Sequence, residues 1–298
     1  MWLLLAFSSA VLLGFYDVFK KRSLNDNAVI PVLTLNTLFS SLIFLPFIVL
    51  SSNGCYSETS IFYVPVATWE VHKFILLKSF IVLSSWILGY FAMKHLPLTI
   101  VGPINATRPI IVLLGALLLF AEHLNLYQWI GVSLSIFSFI LLSRSGKKEG
   151  IDFAHNKWIL FLILAALMGA ISGLYDKFLM KQFSPMIVQS WYNIYQLIEM
   201  SLILVFLWWP KRKQNSPFKW NWSIPLISIF LSAGDFVYFY SLSYSDSMIS
   251  VVSMIRRSSV LVSFLCGAIF FHEKNLKQKA FDLLLVLLGM AFLYFGSR

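Results

Sequence analysis

Long apolar runs alternate with short polar breaks along this chain. Ten runs can be drawn, over 2–19, 29–50, 74–93, 98–120, 126–143, 158–179, 186–208, 223–243, 247–271 and 279–296. Each is about 18 residues or longer, enough for a helix to cross a hydrocarbon layer of ~30 Å. In such a layer a helix satisfies its own backbone hydrogen bonds, which an open strand or loop does not. The pattern therefore predicts an all-α integral membrane protein with ten transmembrane helices. The longest breaks, 51–72, 144–157 and 209–222, are too short to hold a soluble domain. The run from Trp2 to Phe19 has no basic residue before it and is followed by Lys20, Lys21 and Arg22. That polarity is wrong for a cleaved signal peptide, so this run is expected to remain as the first membrane helix.

Composition agrees with the pattern. Apolar residues make up 59% of the chain, charged residues 12%, and the mean hydropathy is +0.79. A soluble domain carries about 25% charged residues, so this chain lacks the polar surface to wrap a water-soluble core. The net charge of +10 does not point to nucleic acid, because the basic residues sit mostly in short loops. They fall unevenly there. The odd-numbered loops and their flanks hold Lys20 to Arg22, Lys94, Arg144, Lys147, Lys148, Lys157, Lys211 to Lys213, Lys219, Lys274, Lys277 and Lys279. The even-numbered ones hold little beyond Lys73, Lys78, Lys177 and Lys181. Positive-inside reasoning places the odd loops in the cytoplasm and both termini outside a cytoplasmic membrane. Cys55 and Cys266 lie in different halves and imply neither a disulfide framework nor a metal site.

The chain also repeats itself. Ala6, Ala10 and Gly14, then Tyr16-Asp17 and Phe19, recur at an offset of 159 as Ala165, Gly169 and Gly173, then Tyr175-Asp176 and Phe178. Asn125-Leu126-Tyr127-Gln128 is answered at an offset of 150 by Asn275-Leu276-Lys277-Gln278. Repeats with an odd number of spans sit in the membrane with opposite orientations, related by a pseudo-two-fold axis in its plane. The expected organisation is two inverted five-helix repeats, 1–146 and 147–298. Small-residue stripes at every fourth position let helices approach closely.

Two segments carry a resemblance to a known family. Arg108-Pro109 leads through Leu113-Leu114-Gly115-Ala116 to Ala121-Glu122-His123-Leu124, and Ser258-Ser259-Val260-Leu261 leads through Gly267-Ala268 to His272-Glu273-Lys274. The arrangement resembles the EamA branch of the drug/metabolite transporter superfamily, whose members carry two five-helix repeats. The terminal Glu lies 13 residues after the position of that family's usual proline, which is Pro109 in the first half and Val260 in the second. A less kinked ninth helix is expected from that departure. The resemblance implies a transporter and leans toward export, without naming a cargo.

Charges within apolar runs need a reason, because each costs about 2.5–3.5 kcal/mol at a helix centre. Arg108 lies near the middle of the fourth run, with Asn105 one turn earlier on its face. Arg256 and Arg257 lie mid-run in the ninth, Arg257 on a stripe with Ser250 and Ser253. Arg108 or Arg257 would grip a carboxylate or phosphate through two parallel hydrogen bonds. Glu199 shares a stripe with Gln189, Tyr192, Asn193 and Gln196, and Asp235 lies mid-way along the eighth run. Either carboxylate would bind an amino group, carry a proton or neutralise an arginine. Tyr16, Tyr175, Trp86, Tyr90 and Tyr238 are candidate cavity aromatics. Asp17 and Asp176 read as interfacial partners of Lys20 and Lys177. Glu122 and Glu273 read as structural helix ends.

These features favour a carrier. There is no Walker-type glycine-rich loop. No nucleophiles, paired acids or metal ligands gather at one depth, so neither an enzyme nor a metal site is expected. A channel is usually built by oligomers around rings or filters, which inverted halves do not suggest. The expected protein is a secondary transporter moving small anionic or zwitterionic metabolites, such as amino acids, by alternating access through a cavity between the repeats. It would need no cofactor, work either by facilitated transport or coupled to protons, and act as a monomer or homodimer. The runner-up is an uptake carrier for sugars, nucleosides or nucleotide-sugars.

Overall fold

The computed structural model describes residues 1–108, 110–111, 125–147, 153, 155–213, 216–244, 247, 252, 255–270 and 276–296. Every regular element among them is helical. In the first half these are α1 (Trp2–Leu24), α2 (Val29–Ser52), α3 (Trp69–His95), α4 (Leu98–Ala106) and α5 (Leu126–Lys147). In the second they are α6 (Lys157–Gln182), α7 (Pro185–Ile203), α8 (Ser223–Ser243), α9 (Ser259–Phe270) and α10 (Leu276–Gly296). Beyond Ile203, α7 continues as a π-turn over Leu204–Trp208 and a 3-10 turn over Trp209–Lys211. Pro210 lies within that last turn and has no N–H with which to extend a helix.

Among the described residues, six helices are long and apolar enough to cross a membrane: α1, α2, α3, α6, α7 with its extension, and α8. At ~1.5 Å per residue they run roughly 30–40 Å, matching a hydrocarbon core of ~30 Å. Their outer faces show Phe7, Leu76, Phe80, Ile163, Leu202 and Phe206. Such faces would be a liability in water but suit lipid. The buried faces carry Ser9, Thr37, Ser40, Ser79, Gln189 and Ser228 instead. Polar residues thus point inward, where helices hydrogen-bond to one another: Ser9 Oγ donates to Gly234 O at 2.8 Å, and Ser85 Oγ to Ala165 O at 2.8 Å.

The packing obeys an exchange of halves. Helix α1 lies along α8 and α3 lies along α6, and each of these pairs becomes the other when the halves are swapped. Pairs α2–α7, α4–α9 and α5–α10 map onto themselves; α2–α8 maps onto α7–α3, and α1–α9 onto α6–α4. All of these contacts are present. Two lysines follow the same symmetry. Lys21 on α1 donates to Met93 O and Leu96 O at the end of α3, at 2.8 and 2.6 Å. Lys177 on α6 donates to Leu242 O and Ser247 O at the end of α8, at 3.2 and 3.0 Å. Each cation meets carbonyls that a helix C-terminus leaves without partners.

Two helices are interrupted beside the candidate arginines. After α4, Thr107 N donates to Ile104 O at 3.2 Å and Ile110 N to Thr107 O at 3.0 Å. Before α9, Ser258 N donates to Ile255 O at 3.0 Å and Leu261 N to Ser258 O at 2.9 Å. These are tightened, three-residue turns at equivalent positions, since Ser258 lies 151 residues after Thr107. In both, the hydroxyl adds a bond to the same carbonyl: Thr107 Oγ1 to Ile104 O at 2.7 Å and Ser258 Oγ to Ile255 O at 2.6 Å. The second half therefore keeps the interruption without a proline at Val260. Side-chain competition for a backbone carbonyl achieves it locally. Pro109, Glu122, Glu273, Ser250 and Ser253 lie outside the described residues.

Candidate functional site

Where α1, α3 and α4 meet α6, α8 and α9, they enclose a cavity of about 160 Å³, to which α7 adds Tyr192. The contributing helices are again exchanged by swapping halves. Close helix approach around it depends on glycine: a Cβ on Gly102 would overlap the Val260 side chain, and one on Gly14 would overlap Val262. These positions let α4 and α1 press against α9.

The wall is densely charged. Lys20 pairs with Asp17 at 2.9 Å, Lys78 with Asp176, and Arg256 with Asp235. Tyr192 Oη donates to the other oxygen of Asp235 at 2.9 Å. Aromatic faces cover all three cations. Lys20 Nζ lies 4.2 Å from the Tyr16 ring centre and 5.2 Å from that of Tyr90. Lys78 Nζ lies 4.9 Å from Tyr192 and 4.9 Å from Phe239, and the Arg256 guanidinium 3.8 Å from Tyr238. Such contacts hold a cation where water is scarce.

Two more cations line the cavity and, among the described residues, lie within ion-pair distance of no carboxylate. Arg108 Nη2 donates to Asn105 Oδ1 at 3.1 Å, and its Nε has no partner. Its guanidinium lies against the backbone of Gly169, where a Cβ would fall 2.6 Å from Cζ. Arg257 also has an unpartnered Nε. Among the described residues neither arginine forms an ion pair. An arginine stays charged in a protein and presents a planar fork of donors, a shape that suits carboxylate or phosphate oxygens.

Of the residues singled out from sequence, Arg108, Asn105, Arg256, Arg257, Asp235, Tyr16, Trp86, Tyr90 and Tyr238 line this cavity. The other four lie elsewhere. Glu199 is half-buried on α7 and accepts from Ser79 of α3 at 2.6 Å. Asn193 donates to Gln189 O at 2.8 Å, and its own carbonyl accepts from Ser41 of α2 at 2.8 Å. Gln196 is fully buried on the same helix. Tyr175 donates to Phe74 O at 3.1 Å on the outer side of α6, although its repeat counterpart Tyr16 faces the cavity.

Sequence reasoning did not single out Lys78, Asp176 or Gly169 as cavity residues. A run drawn from residue 74 puts Lys78 near a span end, but α3 begins at Trp69, so Lys78 lies well inside the helix. From sequence Asp176 reads as the partner of its neighbour Lys177, which instead caps α8. A lysine and an aspartate in two different apolar runs were the available signal. Cys55 and Cys266 are free thiols. Among the described residues no three of His, Cys, Asp and Glu gather to hold a metal ion.

Comparison with known proteins adds the family. An uncharacterized transporter of Pseudomonas aeruginosa is 29% identical over 135 residues, which is 44% of this chain and 43% of that protein. The match thus spans less than half of the relative's length. One solved crystal structure superposes with a TM-score of 0.65 at 13% identity, covering 100% of this chain and 98% of that one. At that identity the likeness is one of fold. The sequence model of the EamA-like transporter family matches residues 1–144 and again 156–295. Matched in both halves and built of membrane-spanning helices around an inner cavity, the chain belongs to the EamA-like transporter family.

Proposed function

We propose that this protein is a secondary carrier for small anionic or zwitterionic metabolites, amino acids included, with the cavity between its halves as the cargo site. The observation that carries this reading is the pair Arg108 and Arg257, both on the cavity wall and, among the described residues, both without an ion-pair carboxylate. A charged group is costly inside a membrane and needs compensation; a passing anion supplies it. The halves, taken as 1–146 and 147–298, rock about the site and expose it to one side at a time, as inverted repeats allow. Lys78–Asp176, Ser9–Gly234 and Ser85–Ala165, which join one half to the other, are the contacts such a motion would break and remake. The carrier lies in the cytoplasmic membrane with the odd loops inside, and runs toward export. Protons serve as coupling ion. Asp235, held between Arg256 and Tyr192, is the cavity carboxylate assigned to that coupling.

The test is flux in liposomes holding the purified chain, across amino acids, carboxylates, phosphorylated metabolites, sugars and nucleosides, with and without a proton gradient. Saturable flux of anionic or zwitterionic members is expected. Saturable flux confined to sugars or nucleosides would contradict the anion site, and unsaturable ion conductance would contradict a carrier.

A further inference from the structure

The cavity's charges do not balance. Among the described residues, Lys20, Lys78, Arg108, Arg256 and Arg257 line it, against Asp17, Asp176 and Asp235. Each carboxylate is taken by one cation, Asp17 by Lys20, Asp176 by Lys78 and Asp235 by Arg256. Arg108 and Arg257 remain, and neither can shed its proton in a protein. The wall therefore carries two surplus positive charges within the membrane, where an uncompensated ion is disfavoured.

Resting on the carrier reading above, we propose that the cargo is a compact oxyanion bearing two negative charges, a phosphate monoester or a dicarboxylate, seated between Arg108 and Arg257. A zwitterion cancels none of the surplus, since its ammonium returns the charge its carboxylate removes. A monoanion cancels half. A dianion cancels all of it and offers oxygens to two guanidinium forks, the geometry in which arginine binds carboxylate or phosphate best. The two arginines flank the crossing of α4 and α9, one just after the interruption at Thr107 and the other just before that at Ser258. Asn105 aims one of them, and the bare backbone of Gly169 leaves room for it. The cavity of about 160 Å³ is small beside the ~300–1,000 Å³ of ordinary ligand pockets, which favours a compact ligand.

The experiment is counterflow in liposomes holding the full chain, at pH 8, above the second phosphate pKa of about 6. The probes are glycerol phosphate and its singly charged methyl ester, succinate and its monomethyl ester, and alanine. One dianion should exchange saturably and exceed its singly charged ester by about tenfold or more, as when a buried polar group is denied its partner. Which dianion does so separates phosphate from dicarboxylate. In Arg257→Gln that preference should collapse, and in Arg257→Lys, which keeps the charge, it should largely persist. Saturable exchange of alanine or the monoanions in preference to both dianions overturns this inference while the carrier stands. A dianion preference that survives in folded Arg257→Gln also overturns it. No saturable exchange of any probe overturns the inference and the anion carrier together.

Discussion

Arg108 holds its place on the cavity wall because Gly169 has no side chain to displace it. An alanine there would put a Cβ 2.6 Å from the guanidinium carbon, and the long arginine side chain would swing away before the helix moved. We expect Gly169→Ala to fold normally and lose most anion flux. Gly234→Ala is the control, since its Cβ would meet Leu12 and Leu13 at ordinary distances of 3.5 Å and beyond and the residue lies off the cavity. Thermal unfolding and liposome flux on both variants check this; equal flux in the two would detach Arg108 from the cargo. At this scale the sequence was partly legible. A charge deep in an apolar run is conspicuous, which is why Arg108, Asp235, Arg256 and Arg257 stood out. Lys78 did not, because drawing its run from residue 74 rather than Trp69 turned a mid-helix lysine into a flanking one. The Lys78–Asp176 pair exists only because α3 lies along α6, and no local spacing carries that information. Glu199 misled for the same reason, as only packing decides which face of α7 meets Ser79 rather than the cavity.

Among the elements, α4 and α9 matter most, since both are interrupted where they cross beside the site. The tightened turn at Ser258 needs no proline, and the hydroxyl that secures it was invisible to a reading keyed to Pro109. The crossing itself depends on Gly102, where any Cβ would overlap the Val260 side chain. Overpacking of this kind costs about 1–3 kcal/mol or more. Gly102→Ala is therefore expected to lower thermal stability and transport together. Trimming the opposing side chain should relieve it, so Gly102→Ala/Val260→Ala should recover much of the lost stability in a double-mutant comparison. No recovery would mean that the two helices do not meet there.

At the scale of the whole molecule, the duplication that Tyr16-Asp17 and Tyr175-Asp176 announced in sequence reappears as an exchange symmetry in helix packing. It does not extend to every side chain, as the divergent settings of Tyr16 and Tyr175 demonstrate. Pairing of elements is shared between halves, while the chemistry at each position has been free to drift. The membrane orientation is open to a direct check, because Cys55 is exposed in the segment after α2. With the odd loops inside, a membrane-impermeant thiol reagent should label Cys55 in intact cells and fail in Cys55→Ser. Labelling only after lysis would reverse the orientation. The central claim, that an anion crosses through the cavity held by the unpaired arginines, is tested most directly by liposome flux of the carried anion in wild type and Arg108→Ala, with folding of both verified. The account expects saturable flux in the wild type and its loss in the variant. Saturable flux that survives in Arg108→Ala with an unchanged KM would make that arginine a brace and contradict the account.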